Sequence, residues 1–320
     1  MPIFKINNSK LEPISEKKID LERDIQRPTE QNLETVFGLK FVCGALNQEF
    51  CVRVNEQDFY IDTVGFDESE KSIFLIEYKK EKSFSIIDQG FAYLSAMLNN
   101  KAEFVLEINE RLNKKYSKRD INWEQSRIIF ISNEFTNYQK SAINFKDLPM
   151  MLYKVRILDN GLIDYDEIKP HRTSESINKF IKDKKVQAVS REIKVYGQED
   201  HFKPDWNLPL ELFNILRQRI LELDSNIIEK IQKHYIVFKA SINGQQYNFC
   251  EIVAQASGLM IHLDIKINEI SDPAHIVQDC LKVGHWATGN TKFRVTEIAG
   301  LEYAMTLIEQ AHNDVIGKNI

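Results

Sequence analysis

Apolar positions in the first half of the chain alternate between helical spacing and short strand-like runs. Residues 19–37 have helical spacing, which Pro28 is expected to break, with Thr29 as N-cap or first-turn residue of a second helix. Gly38 is expected to end that second helix. Two β-rich runs, 58–66 and 72–78, flank a polar turn at 67–71 and predict a β-hairpin.

The pattern that follows predicts an alternation of helices and strands. Residues 86–98 carry Ile87, Phe91, Leu94 and Leu98 on one helical stripe. Short strands are predicted at 41–45, 49–54, 102–108, 126–132 and 151–157, with a short helix at 138–144. The run RIIFIS within 126–132 is nearly all apolar, which is typical of a strand covered on both faces. Residues 1–170 are therefore predicted to form an α/β domain.

A change in the sequence pattern after residue 170 predicts how the rest of the chain is organised into a connector and a second domain. Residues 179–194 hold six Lys or Arg against two acidic residues, and we interpret 171–205 as an exposed basic connector. From residue 206 a second pattern begins: a helix at 210–232, a hairpin over 235–254 with the turn Asn243-Gly244, and a strand at 260–267. A short helix at 273–281, a strand at 292–298 and a helix at 301–313 complete a smaller α+β domain, residues 206–320.

Composition narrows the class of protein. The 320 residues are 43% apolar and 28% charged, which is a globular composition with room for two cores. A net charge of −5 excludes nucleic-acid binding by bulk positive charge, although a nuclease with a local basic patch remains compatible. There is no apolar run of membrane-spanning length, no signal-peptide pattern and no CxxC pair among four cysteines, so we expect a cytoplasmic protein with reduced thiols and no membrane partner.

Candidate chemistry concentrates in the predicted hairpin and its exit. Asp62 lies on the first hairpin strand, and Glu77 and Lys79 lie at the end of the second. Residues two apart on a strand share a face, so Glu77 and Lys79 point the same way and Tyr78 points the other way. The hairpin is expected to bring Asp62 close to Glu77, which gathers two carboxylates and an amine at the end of an apolar strand.

Two adjacent carboxylates favour a bound cation, because their mutual repulsion otherwise raises a pKa. Mg²⁺ takes oxygen ligands and often uses one or two carboxylates together with water and substrate phosphate. Such an ion lowers the pKa of a bound water, which Lys79 could orient. The expected chemistry is phosphodiester hydrolysis.

These residues resemble the PD-(D/E)XK nuclease superfamily, with Ile61 in place of the proline before Asp62. Gln89 and Tyr93 resemble the Q-x-x-x-Y element of its RecB-like branch. The resemblance covers roughly residues 20–160 and implies a restriction-endonuclease-like mixed sheet flanked by helices. It implies that Asp62, Glu77, Lys79, Gln89 and Tyr93 form the catalytic site.

The resemblance also implies further ligands. The Tyr78 carbonyl is expected to complete the coordination of the metal, and an acidic residue is expected on a preceding helix. Glu30 and Glu34 are both candidates, and Glu30 is preferred because it lies nearer the helical face of Leu33 and Phe37.

Lysines outside this motif are either nucleic-acid contacts or ordinary solvent-exposed side chains. Lys80 and Lys82 follow the motif directly and either hold phosphates or form a solvated strand end. Lys114 and Lys115 belong to a basic cluster over 111–119, predicted in a loop, that either contacts DNA or is a solvated loop. The basic run at 179–194 either follows a DNA backbone or is a linker.

The whole chain also resembles bacterial proteins labelled "predicted transport protein", which join a nuclease-like region to a C-terminal domain of unknown function. The matching stretches are NLETVFG, IEYKK, WEQSRIIFIS and the terminal DPAHIVQDCLKVGHWATGNTKFRVTEIAGLEYAMTLIEQA. The transport label finds no support, because the sequence has neither a membrane span nor a carrier motif.

The sequence therefore predicts a nuclease that cleaves phosphodiester bonds, in DNA, with Mg²⁺ or Mn²⁺ as cofactor. Two alternatives remain: a nucleic-acid-binding module with weak or no turnover, and an interaction protein whose C-terminal domain recruits a protein partner. Many nucleases of this type work as homodimers, and the oligomeric state stays open.

Overall fold

The computed structural model describes residues 3–19, 22–47, 50–54, 57–79, 86–145, 147–170, 175–177, 183–281 and 287–319. The chain divides into two compact units, Met1–Val195 and Tyr196–Ile320. This boundary falls within the connector expected at 171–205, because the helix over Lys184–Glu192 belongs to the first unit.

The first unit is built from short strands and helices. Its described strands are β1 (Ile3–Asn7), β2 (Lys10–Ile14), β3 (Lys40–Gly44), β4 (Phe50–Val54), β5 (Gln57–Ile61), β6 (Thr63–Asp67), β7 (Ser72–Lys79), β8 (Arg127–Ser132), β9 (Met150–Ile157) and β10 (Ile163–Glu167). Its described helices are α1 (Arg23–Gln31), α2 (Leu33–Phe37), α3 (Ile86–Asn99), α4 (Lys101–Leu112), α5 (Asn137–Ala142) and α6 (Lys184–Glu192).

A six-stranded mixed sheet forms the centre of this unit, in the order β10-β9-β8-β7-β6-β3. The strands β3, β6 and β7 pair antiparallel, whereas β7, β8 and β9 pair parallel and β10 returns antiparallel. Two separate hairpins, β1-β2 and β4-β5, stand outside the sheet. The predicted mixed α/β architecture with a helix-flanked sheet is confirmed.

Strand β7 explains why helices cover both faces of the sheet. Ile73 and Leu75 point to one face and pack in the core formed with α3, α4 and α6. Ile76 and Tyr78 point to the other face and pack in the core formed with α1 and α2. Because side chains alternate along a strand, a nearly continuous apolar run requires cover on each side.

Two predictions for the helices before and after the hairpin are wrong. The helix α1 runs through Pro28, and the break comes at Asn32, so Thr29 is not a cap but a buried α1 residue whose hydroxyl bonds the Ile25 carbonyl. The predicted strand at 102–108 is part of α4, which buries Phe104 and Ile108. The expected stop at Gly38 is confirmed, with a left-handed φ of 68°.

The helix α6 moves the boundary between the units. Val186, Val189 and Ile193 are buried in the same core as α3, so this stretch belongs to the first unit. The expectation of an exposed connector is therefore wrong for residues 183–195. The apolar residues spaced at three and four positions within this basic run supply the buried side.

The described part of the second unit, 196–281 and 287–319, is an antiparallel sheet with two α-helices. Its elements are α7 (Asn207–Leu223), β11 (Ile227–Ile231), β12 (Ile236–Ile242), β13 (Gln245–Gln255), β14 (Gly258–Leu263), β15 (Gln278–Asp279), β16 (Thr291–Val295) and α8 (Leu301–Asn319). The strand order is β11-β12-β13-β14-β16-β15. The predicted turn at Asn243-Gly244 is confirmed, since both residues have positive φ, at 52° and 82°.

Two predictions for the second unit are wrong. The helix expected over 210–232 ends at Leu223, and β11 follows it. The stretch 273–281 is not helical, because Asp272 accepts a hydrogen bond from the Val277 amide at 2.7 Å and His275 has a φ of 53°. No helix within the described part of the chain is long and apolar enough to span a bilayer.

Candidate functional site

The candidate site lies where β7 extends beyond its antiparallel neighbour. The pairing of β6 with β7 ends at Thr63 and Ile76, whereas the pairing of β7 with β8 continues to Lys79 and Ser132. Asp62 lies in the bend just before β6, and its Oδ2 accepts a hydrogen bond from the Tyr78 amide at 3.0 Å. The Asp62 carboxylate thus supplies the acceptor that a longer β6 would have provided.

Five of the predicted catalytic side chains meet at this point. Glu77 Oε1 accepts hydrogen bonds from Lys79 Nζ at 2.6 Å and from Gln89 Nε2 at 2.7 Å. Gln89 also donates to the Tyr93 hydroxyl at 3.2 Å. Asp62 and Glu77 are close enough to share a hydrogen bond when one of them is protonated.

The helix α3 positions Gln89 and Tyr93. Residues four apart lie on one helix face, and the Tyr93 ring packs edge-on against Phe59 of β5, with ring centroids 6.2 Å apart. Hence the β4-β5 hairpin, which ends directly before Asp62, also fixes the far side of the Gln89–Tyr93 pair. The expected juxtaposition of the two motifs is therefore present in the fold.

Burial disfavours the charged form of both carboxyls and so raises their pKa values. Glu77 is only 3% exposed, and burial, together with the nearby Asp62 charge and against the effect of Lys79, raises its pKa to about 7. Burial also raises the pKa of Asp62, against the Tyr78 amide and Lys79. No hydrogen bond reaches the buried Oε2 of Glu77 from the described residues.

The donor set fits a hard cation. Two carboxyl groups with raised pKa values, one carrying an orphaned buried oxygen, offer the oxygen ligands that Mg²⁺ prefers. Within the residues the structure describes, no group of three or more His, Cys, Asp or Glu forms a metal-binding cluster. An ion at this place would therefore depend on the Asp62–Glu77 pair, with water and substrate oxygens completing its shell.

Tyr78 and Glu30, the other predicted ligands, have different positions. The Tyr78 side chain is fully buried on the opposite face of the sheet, so only its main chain lies at the site. Its carbonyl stays a predicted ligand. Glu30 is also buried, and its two oxygens accept hydrogen bonds from the Ala45 and Leu46 amides, both at 3.0 Å, and from Thr63 Oγ1 at 2.5 Å. These contacts make Glu30 a support of the loop and strand that flank Asp62.

Two residues at the site were not singled out from the sequence. Gln26 Nε2 donates to the Asp62 carbonyl at 3.1 Å and to Glu30 Oε1 at 2.8 Å, which fixes the bend at Asp62. The negative charge of Glu22 adds to the raised pKa of Asp62. The available signal was the spacing of four between Glu22, Gln26 and Glu30, which places them on one helix face.

Of the predicted nucleic-acid lysines, the two that the structure describes, Lys114 and Lys115, lie away from this site. Lys80 and Lys82 lie outside the described residues. Lys114 pairs with Glu68 in the turn that precedes β7, at 2.7 Å, and exposed Lys115 follows it. Because five residues separate the start of β7 from Glu77, this cluster lies about 17 Å along the strand from the carboxylates.

Comparison with known proteins identifies one full-length relative. An "Uncharacterized protein" of Haemophilus influenzae is 34% identical over 315 residues, which are 98% of this chain and 100% of that protein. No family model matches the chain, and no solved structure matches it. The aligned region spans both units. The chain therefore belongs to the same family as this Haemophilus influenzae protein.

Proposed function

We propose that the first unit is a metal-dependent nuclease that hydrolyses phosphodiester bonds, in DNA. The observation that carries the proposal is the pair of neighbouring carboxyls, Asp62 and Glu77. The buried Oε2 of Glu77 lacks a hydrogen bond from the described residues, while its Oε1 lies 2.6 Å from the Lys79 amine. A buried carboxylate oxygen without a hydrogen bond costs stability, and buried carboxyls with raised pKa values are typical of functional sites.

Each side chain has a separate task in this proposal. Asp62 and Glu77 would hold the metal, and Lys79 would orient the attacking water. When bound, Mg²⁺ or Mn²⁺ would lower the pKa of that water and neutralise charge on the phosphate. Gln89 keeps Glu77 Oε1 in place and leaves Oε2 to face the ligand. Tyr93 in turn accepts the second hydrogen bond of Gln89.

The resemblance to PD-(D/E)XK nucleases supports the same reading. The motif residues come from three separate places in the fold, the bend before β6, strand β7 and helix α3. Asp62 accepts a hydrogen bond from the Tyr78 amide, and Lys79 and Gln89 both donate to Glu77. We also propose the cytoplasm as the location, in keeping with buried free thiols at Cys43, Cys250 and Cys280.

A cleavage assay tests the proposal. Purified protein is incubated with single- and double-stranded DNA in the presence of Mg²⁺ or Mn²⁺, beside Glu77→Ala, Lys79→Ala and a surface control, Glu110→Gln. Glu110 is an exposed residue of α4, so its change removes a charge without touching the site. Metal-dependent cleavage by the wild type and the control, lost in the other two variants, is the expected result.

Other outcomes favour the alternatives. DNA binding without cleavage, equal in all four proteins, would overturn the enzyme and favour a nucleic-acid-binding module. Absence of both activities would favour a protein that recruits a partner through its second unit.

A further inference from the structure

A second amine lies in line with Lys79 across the end of the sheet. The register pairs Lys79 of β7 with Ser132 of β8, and Ser132 with Lys154 of β9. Residues in register on neighbouring strands share a face, and strands lie about 4.8 Å apart. The backbone of Lys154 is therefore about 10 Å from that of Lys79, two strands away.

The alternation of β9 fixes the face on which Lys154 lies. Leu152 packs in the core beneath α3, whereas Val155 packs in the core on the opposite face. Lys154 therefore shares the α3 face with Glu77 and Lys79. It is half-buried, so its stem is covered while its position remains partly open to solvent.

Lys154 differs from neighbouring cations in lacking an acidic partner. Arg156, two residues further along the same face, pairs with Asp164 at 2.5 Å and with Glu16 at 3.6 Å. No carboxylate of the described residues lies within ion-pair distance of Lys154, although Asp166 is its cross-strand neighbour. Its charge is therefore available to an anion.

Ser132 does not compensate either amine. Its hydroxyl donates to the Glu134 carbonyl at 3.0 Å and accepts from the Glu134 amide at 3.3 Å. The Ser132 hydroxyl is thus used in hydrogen bonds with the Glu134 main chain, and Ser132 lies between the two lysines. The resulting row has one amine neutralised by Glu77 and one amine without a partner.

We propose that Lys154 binds a backbone phosphate of the substrate strand, beside the phosphate that a metal ion held by Asp62 and Glu77 would contact. The proposal rests on the proposed nuclease function and adds a direction to it, because the strand then crosses the sheet end from β7 towards β9. A single ammonium suits this task as a point charge that contacts any phosphate without reading sequence.

Binding without catalysis tests the inference. Fluorescence anisotropy of a labelled single-stranded oligonucleotide and of its duplex is measured in EDTA, so that no cleavage occurs, over a range of salt concentrations. Wild type is compared with Lys154→Ala, with Lys154→Arg, which keeps the charge, and with Lys10→Ala, which removes an exposed charge from the separate β1-β2 hairpin. Thermal unfolding of each variant checks that it is folded.

The expected result is specific to position 154. Lys154→Ala raises Kd about three- to tenfold and reduces the salt slope by about 0.7 for the single strand or 0.9 for the duplex. Lys154→Arg and Lys10→Ala bind like the wild type. Unchanged binding by Lys154→Ala, or an equal loss in Lys10→Ala, would overturn the inference.

The two proposals fail in distinguishable ways. If the wild type cleaves DNA and Glu77→Ala does not, unchanged binding by Lys154→Ala removes only the assigned phosphate contact. If the wild type neither binds nor cleaves DNA, the nuclease proposal fails and the contact fails with it.

Discussion

The two oxygens of Glu77 have different surroundings. Oε1 accepts from Lys79 and Gln89, whereas Oε2 is buried without a hydrogen bond from the described residues. The pKa of this carboxyl is raised from 4.5 to about 7, chiefly by burial. The folded chain therefore binds the Glu77 proton more tightly than the unfolded chain does, so the protonated carboxyl stabilises the fold. This stabilisation is complete below pH 4.5 and is lost as the pH rises through about 7.

Glu77→Gln should therefore stabilise the metal-free protein at neutral pH. The amide removes the buried charge, and the gain is on the order of 2 kcal/mol in the free energy of unfolding. Urea denaturation in EDTA at pH 5 and pH 7.5 measures it. The wild type should lose stability between these values, and Glu77→Gln should lose less.

The control for this comparison is Glu110→Gln on the exposed face of α4. It should follow the wild type at both pH values, because the change removes an exposed charge away from the Asp62–Glu77 pair. A Glu77→Gln protein less stable than the wild type at pH 7.5 would contradict the raised pKa of the Glu77 carboxyl.

At the scale of elements, α1 holds the segments on either side of Asp62. Glu30 accepts from the amides of Ala45 and Leu46 and from the hydroxyl of Thr63. Gln26 joins the same carboxylate to the Asp62 carbonyl. The helix therefore ties the loop after β3 to the start of β6, and the position of Asp62 depends on this tie.

Glu30→Gln should destabilise the first unit by about 2–4 kcal/mol, because an amide NH₂ replaces an oxygen that accepts buried hydrogen bonds. The matched change Glu34→Gln removes an exposed ion pair with Lys40 and should cost less than about 1 kcal/mol. Urea denaturation of both variants measures the difference. Equal small effects, with loss of metal affinity only in Glu30→Gln, would make Glu30 a ligand instead of a support.

The elements of the site could be predicted because their signals are local. The polar turn before β7, its apolar run and the Q-x-x-x-Y spacing on α3 each lie within a few residues. The strand predicted at 102–108 failed because Phe104, Leu106 and Ile108 alternate as in a strand. In α4 the buried side is instead Phe104, Val105 and Ile108, and Leu106 is 58% exposed.

The support of Asp62 could not be predicted in the same way. The contact of Gln26 with the Asp62 carbonyl joins residues 36 positions apart and exists because the chain bends between β5 and β6. The sequence placed Asp62 within one continuous strand, which hides that bend. Pairing between neighbouring strands also decided β11, since its residues form a hairpin with β12 instead of continuing the preceding helix.

At the scale of the whole molecule, the chain has separate cores. The second unit has its own apolar cluster, from Phe202 and α7 to α8. The relative from Haemophilus influenzae aligns over both units, so the two occur together in this family. The second unit should therefore fold without the first.

A fragment of residues 196–320 should unfold cooperatively, and a fragment of residues 206–320 should be less stable. The shorter piece loses Phe202, which packs on Phe213 with ring centroids 5.2 Å apart, and His201, whose Nε2 bonds the Gln232 carbonyl at 2.8 Å. The loss of a buried Phe side chain costs about 3 kcal/mol or more. Calorimetry of both fragments measures it, and equal stability would contradict the boundary at 195/196.

The most direct test of the paired carboxylates is a crystal grown with Mn²⁺, with anomalous scattering recorded above the manganese absorption edge. We predict a single anomalous peak between the carboxylate oxygens of Asp62 and Glu77, absent from crystals of Glu77→Gln. A manganese ion bound elsewhere, with these two side chains still hydrogen-bonded only within the protein, would contradict a metal site at the end of β7.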